Sequence, residues 1–206
     1  MQITVVGYGN VGAGMVKQLS AAGHSVTVTG RQMENAEKVA TQYGARSAPL
    51  ASASDNAELI VLAVPYDSVA AALDALGTLD GKVVVDVTNP LTSDYMGLTI
   101  GHTTSAAEEI AKLTGASVVK AFNTLFAQVL GEGPVFPSQA ASVFVASDDA
   151  AAKERVVAVA GSMGFSTIDA GGLKNARYLE AVAGLNIYLG YGAGLGTQIS
   201  PTWITR

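Results

Sequence analysis

From residue 2 the chain passes through a β-branched run, Gln2-Ile3-Thr4-Val5-Val6, straight into Gly7-Tyr8-Gly9-Asn10-Val11-Gly12, and then into an alanine-bearing stretch that ends at Gly23. Few folds accept three glycines in G-x-G-x-x-G order between a strand and a helix. The first glycine makes the tight turn and the second lets a pyrophosphate approach the backbone. The third lets the helix pack closely on the sheet, so that its N-terminus faces the anion. A glycine-rich turn that merely closes a strand–helix unit reads the same in isolation. Here a second strand follows in register, which favours a dinucleotide site.

The rest of the chain repeats the alternation. Short apolar or β-branched runs fall at 2–7, 24–30, 58–65, 82–88, 117–122, 141–147 and 165–170, with a further short one at 45–49. Stretches of helical composition separate them at 10–23, 33–44, 68–77, 105–115 and 149–164, most ending in glycine. Continuous apolar strands are buried on both faces, so the pattern predicts an α/β Rossmann fold: a doubly wound, mostly parallel sheet between two helical layers. A last helix, about 173–189, follows Gly171 and Gly172 outside the alternation. The expected organisation is a nucleotide-binding domain over 1–170 and a short C-terminal helical extension over 171–206 that completes a substrate pocket.

The end of the second strand bears on which dinucleotide. An NAD site is expected to place Asp or Glu there for the ribose 2′-hydroxyl. This chain reads Thr29-Gly30-Arg31, with Arg31 nineteen residues beyond Gly12 and no acidic residue from 24 to 33. A guanidinium pairs with a 2′-phosphate where a carboxylate would repel it, which favours NADP. The alternative is a solvated surface arginine. Ala63-Val64-Pro65 and Thr88-Asn89-Pro90 each close a strand at the edge where open α/β sheets bind ligands; plain strand termination by proline is the other reading.

Composition narrows the classes. A net charge of -5 with no basic run offers no footprint for nucleic acid, and the absence of cysteine excludes disulfides and thiolate chemistry. The apolar stretch 179–196 carries five glycines, Glu180 and Asn186, which reads as a buried helix running into a loop rather than a membrane span. A cytoplasmic protein without a metal site is expected.

Taken with GYGNVG and TGR, the segments AVPY, DVTNPL, SAAEEIAKL, VVKAFNT and DAGGLKNARYLEAVAGL resemble the NADP-dependent deazaflavin reductases, the coenzyme F-420:NADP oxidoreductase family, over about residues 1–190. The cytosolic domain of the six-transmembrane ferric reductases is similar too. The resemblance implies NADP(H), a deazaflavin (coenzyme F-420) or a flavin as second substrate, and a homodimer. It implies that Gly7, Tyr8, Gly9, Asn10, Val11 and Gly12 bind the pyrophosphate, that Gly30 and Arg31 bind the 2′-phosphate, and that Ala63, Val64 and Pro65 flank the nicotinamide ribose. Asn89, Pro90 and the Ala121-Phe122-Asn123 segment would line the hydride-transfer cleft. Family members often carry Ser or Thr where Gly30 stands and a second base near Asn35, and the tail 190–206, expected near the second substrate, has no counterpart.

Hydride transfer between stacked rings needs proximity and orientation more than a protein acid or base. No catalytic constellation stands out. His102 is a weak candidate donor, with a structural role the stronger reading. Thr103, Thr104 and Ser105 ahead of Glu108 and Glu109 read as a helix cap. Asp86 and Asp169 read as loop caps. Lys174, Asn175 and Arg177 stand at a helix start, where cations are electrostatically unfavourable, so they either attract an acidic ligand or reach to solvent. Tyr188, Tyr191 and Trp203 offer aromatic surface for the pocket, the core or a dimer contact. A reductase of imines or carbonyls would need a proton donor, for which His102, Tyr66 and Tyr95 are available. A nucleotide-sensing module without turnover is the remaining class.

Overall fold

The computed structural model describes residues 1–203. Eight strands and eight α-helices follow one another as β1 (Gln2–Val6), α1 (Asn10–Ala21), β2 (Ser25–Thr29), α2 (Met33–Tyr43), β3 (Arg46–Ser47), α3 (Leu50–Ala53), β4 (Leu59–Leu62), α4 (Val69–Leu76), β5 (Val83–Asp86), α5 (Ala106–Ala111), β6 (Ser117–Lys120), α6 (Ala127–Glu132), β7 (Ser142–Val145), α7 (Ala150–Ser162), β8 (Ser166–Asp169) and α8 (Ala176–Ile187). The first six strands form one parallel sheet in the order β3-β2-β1-β4-β5-β6. The order reverses direction beside β1, and at such a switch point two loops part to leave a crevice. Strands β7 and β8 pair in parallel, and one antiparallel bridge between Lys120 and Ala146 ties them to β6.

The apolar strands bury both faces, as their composition requires. Val5 stands opposite Val28 and Val61, and Val61 opposite Val85. These side chains share one core with Met15 and Leu19 of α1, Leu130 of α6 and Val156 of α7. Ile60, Leu62 and Val84 face the other way, onto Leu73 and Leu76 of α4 and Ile110 of α5.

All eight expected strands are present, each shorter than its apolar run, because the last residues of a run leave the ladder to become the loops of the carboxyl edge. Two helices, α3 and α6, were not expected. The helix predicted over 105–115 ends at Ala111, and its cap is the expected one: Ser105 Oγ accepts from the Glu108 amide and donates to Glu108 Oε2 at 2.7 Å. The stretch 179–196 is the end of α8 followed by a π-turn over Tyr188–Gly192. No helix among the described residues is long and apolar enough to cross a membrane.

Candidate functional site

Five loops leave the carboxyl edge of the sheet, after β1, β2, β4, β5 and β6, and three clefts run end to end between them. The first is bounded by Gly7, Tyr8, Gly9, Gly30, Arg31 and the Ala63–Pro65 loop. The second shares Gly9 and Ala63–Pro65 with it and adds Asn10, Val11, Tyr66, Thr88, Asn89 and Pro90. The third shares Asn10, Val11, Asn89 and Tyr95 with the second and is walled by Asn123, Phe126, Ala183, Ile187 and Tyr191.

The glycines divide the labour. A Cβ on Gly7, whose φ is +118°, would lie 2.2 Å from the Ala63 carbonyl oxygen, and one on Gly12 would lie 2.1 Å from that of Gly7. Both positions are closed by backbone. A Cβ on Gly9 would meet nothing within 4 Å, because Gly9 faces the clefts. Gly9 caps α1 without a side-chain hydrogen bond, and the first turn holds no acidic residue. The helix therefore presents bare amides and its positive end to that opening, which suits a pyrophosphate.

At the far end of the first cleft Arg31 is exposed and, among the described residues, has no carboxylate within ion-pair distance. The glycine before it has a local cause: a Cβ on Gly30 would lie 2.5 Å from the Tyr8 ring. Tyr8 occupies the space a serine or threonine side chain would need. Asn35 turns back to donate to Gln32 Oε1 at 2.6 Å. These residues fit a nucleotide bearing a 2′-phosphate, held by one guanidinium.

Between the second and third clefts two amides brace each other. Asn89 Nδ2 donates to the Asn123 carbonyl at 2.9 Å; Asn123 Nδ2 donates to Asn89 Oδ1 at 2.9 Å and to the Leu179 carbonyl at 3.1 Å. The loops after β5 and β6 are thereby tied to α8. Thr88 Oγ1, Asn123 Oδ1 and Thr124 Oγ1 are buried beside these clefts without a partner in the protein, and buried polar atoms of this kind call for a ligand or water.

Two residues of the expected cleft segment are elsewhere. Ala121 and Phe122 are 0% and 2% exposed and belong to the core, Phe122 standing edge-on to Phe165; only Asn123 of that trio reaches the cleft. Gly12 lines none of the three clefts and serves by letting α1 close on the Gly7 turn. His102 is exposed at φ 59° on the loop before α5 and borders none of them. Arg177, offered as an attractor of anions, is committed to Glu108: Nε donates to Oε2 at 2.8 Å and Nη2 to Oε1 at 2.6 Å. Tyr191 walls the third cleft and packs edge-on to Phe126, whereas Trp203 packs on Phe144 of β7. The tail thus turns away from the cleft after residue 192, and residues 204–206 lie outside the described ones.

Sequence reasoning missed a cluster directly beneath the cleft. Lys120, Asp86 and Glu180 are each 0% exposed. Lys120 Nζ donates to Asp86 Oδ2 at 2.8 Å, to Glu180 Oε1 at 2.8 Å and to the Thr88 carbonyl at 2.6 Å. Asp86 Oδ1 accepts from the Thr88 amide, and Glu180 Oε2 accepts from the Ala106 amide at 3.0 Å. Burial pushes the Glu180 carboxyl above its usual range, against the pull of Lys120. A lysine inside Ser-Val-Val-Lys-Ala-Phe was the available signal, since a strand buried on both faces accepts a cation only with partners.

This is the architecture of an α/β oxidoreductase of the Rossmann class, with a crevice at the switch point of its sheet. Residues 2–90 match the family described as NADP oxidoreductase, coenzyme F420-dependent. The F420-dependent NADP reductase of Methanothermobacter marburgensis is 31% identical over 210 residues, covering 92% of each chain. The crystal structure of a putative F420-dependent NADP reductase from Arthrobacter sp. FB24 superposes with a TM-score of 0.86 at 32% identity, over 99% of each chain. Metalloreductase STEAP3 of Rattus norvegicus is 31% identical over 189 residues, but this chain spans only 36% of its length. The chain belongs to the F420-dependent NADP reductase family and is an NADP-dependent oxidoreductase.

Proposed function

We propose that this protein passes hydride between NADPH and a planar conjugated acceptor, a deazaflavin such as coenzyme F-420 in the first place and a flavin in the second. The observation that carries the reading is the continuity of the clefts. A guanidinium stands at one end, a bare helix N-terminus follows, and the middle cleft opens without a break into one of about 540 Å³ walled by Phe126, Ile187 and Tyr191. That volume and apolar wall suit a flat ring system.

When bound, the nicotinamide supplies the hydride chemistry. The protein's part is placement: Arg31 and the α1 amides hold the anionic half, Ala63–Pro65 and Pro90 bound the middle cleft, and the Asn89–Asn123 brace fixes the boundary at which two rings would meet. The resemblance to related reductases also supports a homodimer. Tyr178 and Leu185 of α8 and Tyr188 of the turn that follows leave one stripe exposed at 71%, 57% and 53%, an apolar surface suited to a second copy.

The test is the loss of NADPH absorbance, with NADH in parallel, on addition of coenzyme F-420, flavin mononucleotide or a simple quinone. Turnover with the deazaflavin and preference for NADPH is the expected result. Tight NADPH binding without turnover on any acceptor would leave a nucleotide sensor. A second reading, reduction of an imine or carbonyl, has one observation in its favour. Tyr66 and Tyr95 border the middle cleft, where a phenol could donate a proton to the product nitrogen or oxygen. Adding a cyclic imine to the same assay separates the two.

A further inference from the structure

The cluster of Lys120, Asp86 and Glu180 has one cation for two carboxylates, and all three side chains are fully buried. The other hydrogen-bond donors reaching those carboxylates are neutral: the amides of Thr88, Ala106 and Ala107. Charge accounting leaves two states. Either the cluster carries one net negative charge in a dry interior or Glu180, whose carboxyl is raised above its usual range by burial, holds one proton.

The cluster is in contact with the middle cleft. Thr88 borders that cleft, gives its carbonyl to Lys120 and its amide to Asp86. Asn123 bonds to the carbonyl of Leu179, next to Glu180. Tyr66 lies on the cleft wall, where burial first, then Glu109, and then Glu180 and Asp86 hold its phenol above the usual range.

Resting on the assignment of the middle cleft to the nicotinamide, we propose that this buried cluster is an electrostatic sensor of cofactor redox state, in which Glu180 gives up a proton when the cationic ring of NADP⁺ binds and keeps it when the neutral ring of NADPH binds. A cation over the cleft favours the ionised cluster, and a neutral ring does not. NADP⁺ binding then releases a proton to solvent, its affinity rises with pH, and NADPH affinity lacks that dependence. The consequence is a bias: at higher pH the site holds NADP⁺ more tightly and makes bound NADPH the better hydride donor.

The surroundings single out Glu180. Facing Glu180 are Lys120 of β6, Asp86 of β5 and the first amides of α5. Beyond them Glu108 is held below the usual carboxylate range by Arg177, and Glu109 by Lys112 and Thr104, so both stay anionic. Tyr66 is held above its usual value and stays neutral, and Lys174, on the turn before α8, is exposed. Burial raises the Glu180 carboxyl above its usual range, against the pull of Lys120. The 2′-phosphate also titrates near neutrality but is common to both nucleotides, so it cancels in their ratio.

The experiment is titration calorimetry of the whole protein with NADP⁺ and with NADPH from about pH 6 to about pH 9, in two buffers of different ionisation enthalpy so that released protons are counted. The ratio of the NADP⁺ to the NADPH dissociation constant is expected to fall about tenfold across this range in the wild type, within the usual size of site-to-site coupling, and to be flat in Glu180→Gln. Infrared difference spectra of the wild type, with ¹³C-labelled Glu and Asp, supply a readout that needs no variant. A protonated carboxyl band should disappear on addition of NADP⁺ and persist on addition of NADPH. A flat ratio in the wild type, or no loss of that band, overturns the proposal while leaving the nucleotide site intact. A pH slope that persists in Glu180→Gln overturns it too. Failure of either nucleotide to bind would remove the site assignment and this proposal together.

Discussion

Gly9 and Gly12 stand three residues apart in one turn and answer to opposite constraints. Gly9 has φ -70° and open space where a Cβ would go, so Gly9→Val should fold normally while its side chain fills the cleft proposed for the pyrophosphate. The expected result is an unchanged melting temperature with NADPH and NADH binding both abolished. Gly12→Ala should do the reverse, because its methyl meets backbone at Gly7; a loss of about 1–3 kcal/mol is expected in chemical denaturation, the usual range for overpacking. Arg31→Ala tests the remaining contact: it should weaken NADPH by about 1.5–3 kcal/mol, roughly ten- to a hundredfold, and leave NADH unchanged, measured by equilibrium titration. Equal losses for the two nucleotides would end the 2′-phosphate argument. These residues were readable in the sequence because their constraints are local: three glycines and one arginine at fixed offsets from a strand end. Lys120 was not, since its two carboxylate partners lie 34 and 60 residues away and only the fold brings them together.

At the scale of elements the strands announced themselves by β-branched runs, whereas α6 had no such signal. It spans six residues, carries Gly131 within it, and is held by tertiary contact with α1: a Cβ on Gly14 would come to 3.1 Å of both Leu130 and Gly131. Packing of that kind is invisible to a periodicity read along one segment. The joint between α5 and α8 was half visible, as a cation at a helix start with no evident partner. In the structure Arg177 meets Glu108 in a two-pronged, partly buried pair, and the Arg177 hydrogen bonds hold the Glu108 carboxyl below its usual range. A depressed folded-state value means that the pair stabilises fully above the unfolded carboxylate value of about 4.3 and loses its contribution as pH falls through the folded value. Arg177→Ala should accordingly lower stability at neutral pH, with the difference from wild type shrinking as the solution is taken below about pH 4. Urea unfolding at both ends of that range is the measurement, and a pH-independent difference would mean that Arg177 acts through packing alone.

The whole molecule joins three bodies of structure at one place: the six-stranded sheet, the β7–β8 pair, and α8. Asn123, Lys120 and the Leu179–Glu180 step of α8 meet there, so the wall of the third cleft is fixed by the same helix whose outer stripe is apolar and exposed. Leu179, Ala183 and Asn186 face inward, while Tyr178, Leu185 and Tyr188 face out, which is the pattern of a helix that buries one face in its own chain and reserves the other. A partner copy seated on the outer face would hold α8 from both sides and so steady the acceptor cleft without contributing a residue to it. Leu185→Asp is the variant that asks this. It places a carboxylate in the middle of the stripe, at a position 57% exposed in the single chain, so the fold of one protomer has no reason to suffer. Analytical ultracentrifugation should show a dimer for the wild type and a monomer for the variant, with circular dichroism unchanged. NADPH affinity, which the proposed site places at the opposite end of the crevice with Gly9 and Arg31, should survive, while the Michaelis constant for the acceptor should rise several-fold as α8 loses its outer support. A wild type that sediments as a monomer would assign the stripe no role in assembly, and the acceptor cleft would then owe its rigidity to the buried cluster and the Asn89–Asn123 brace alone.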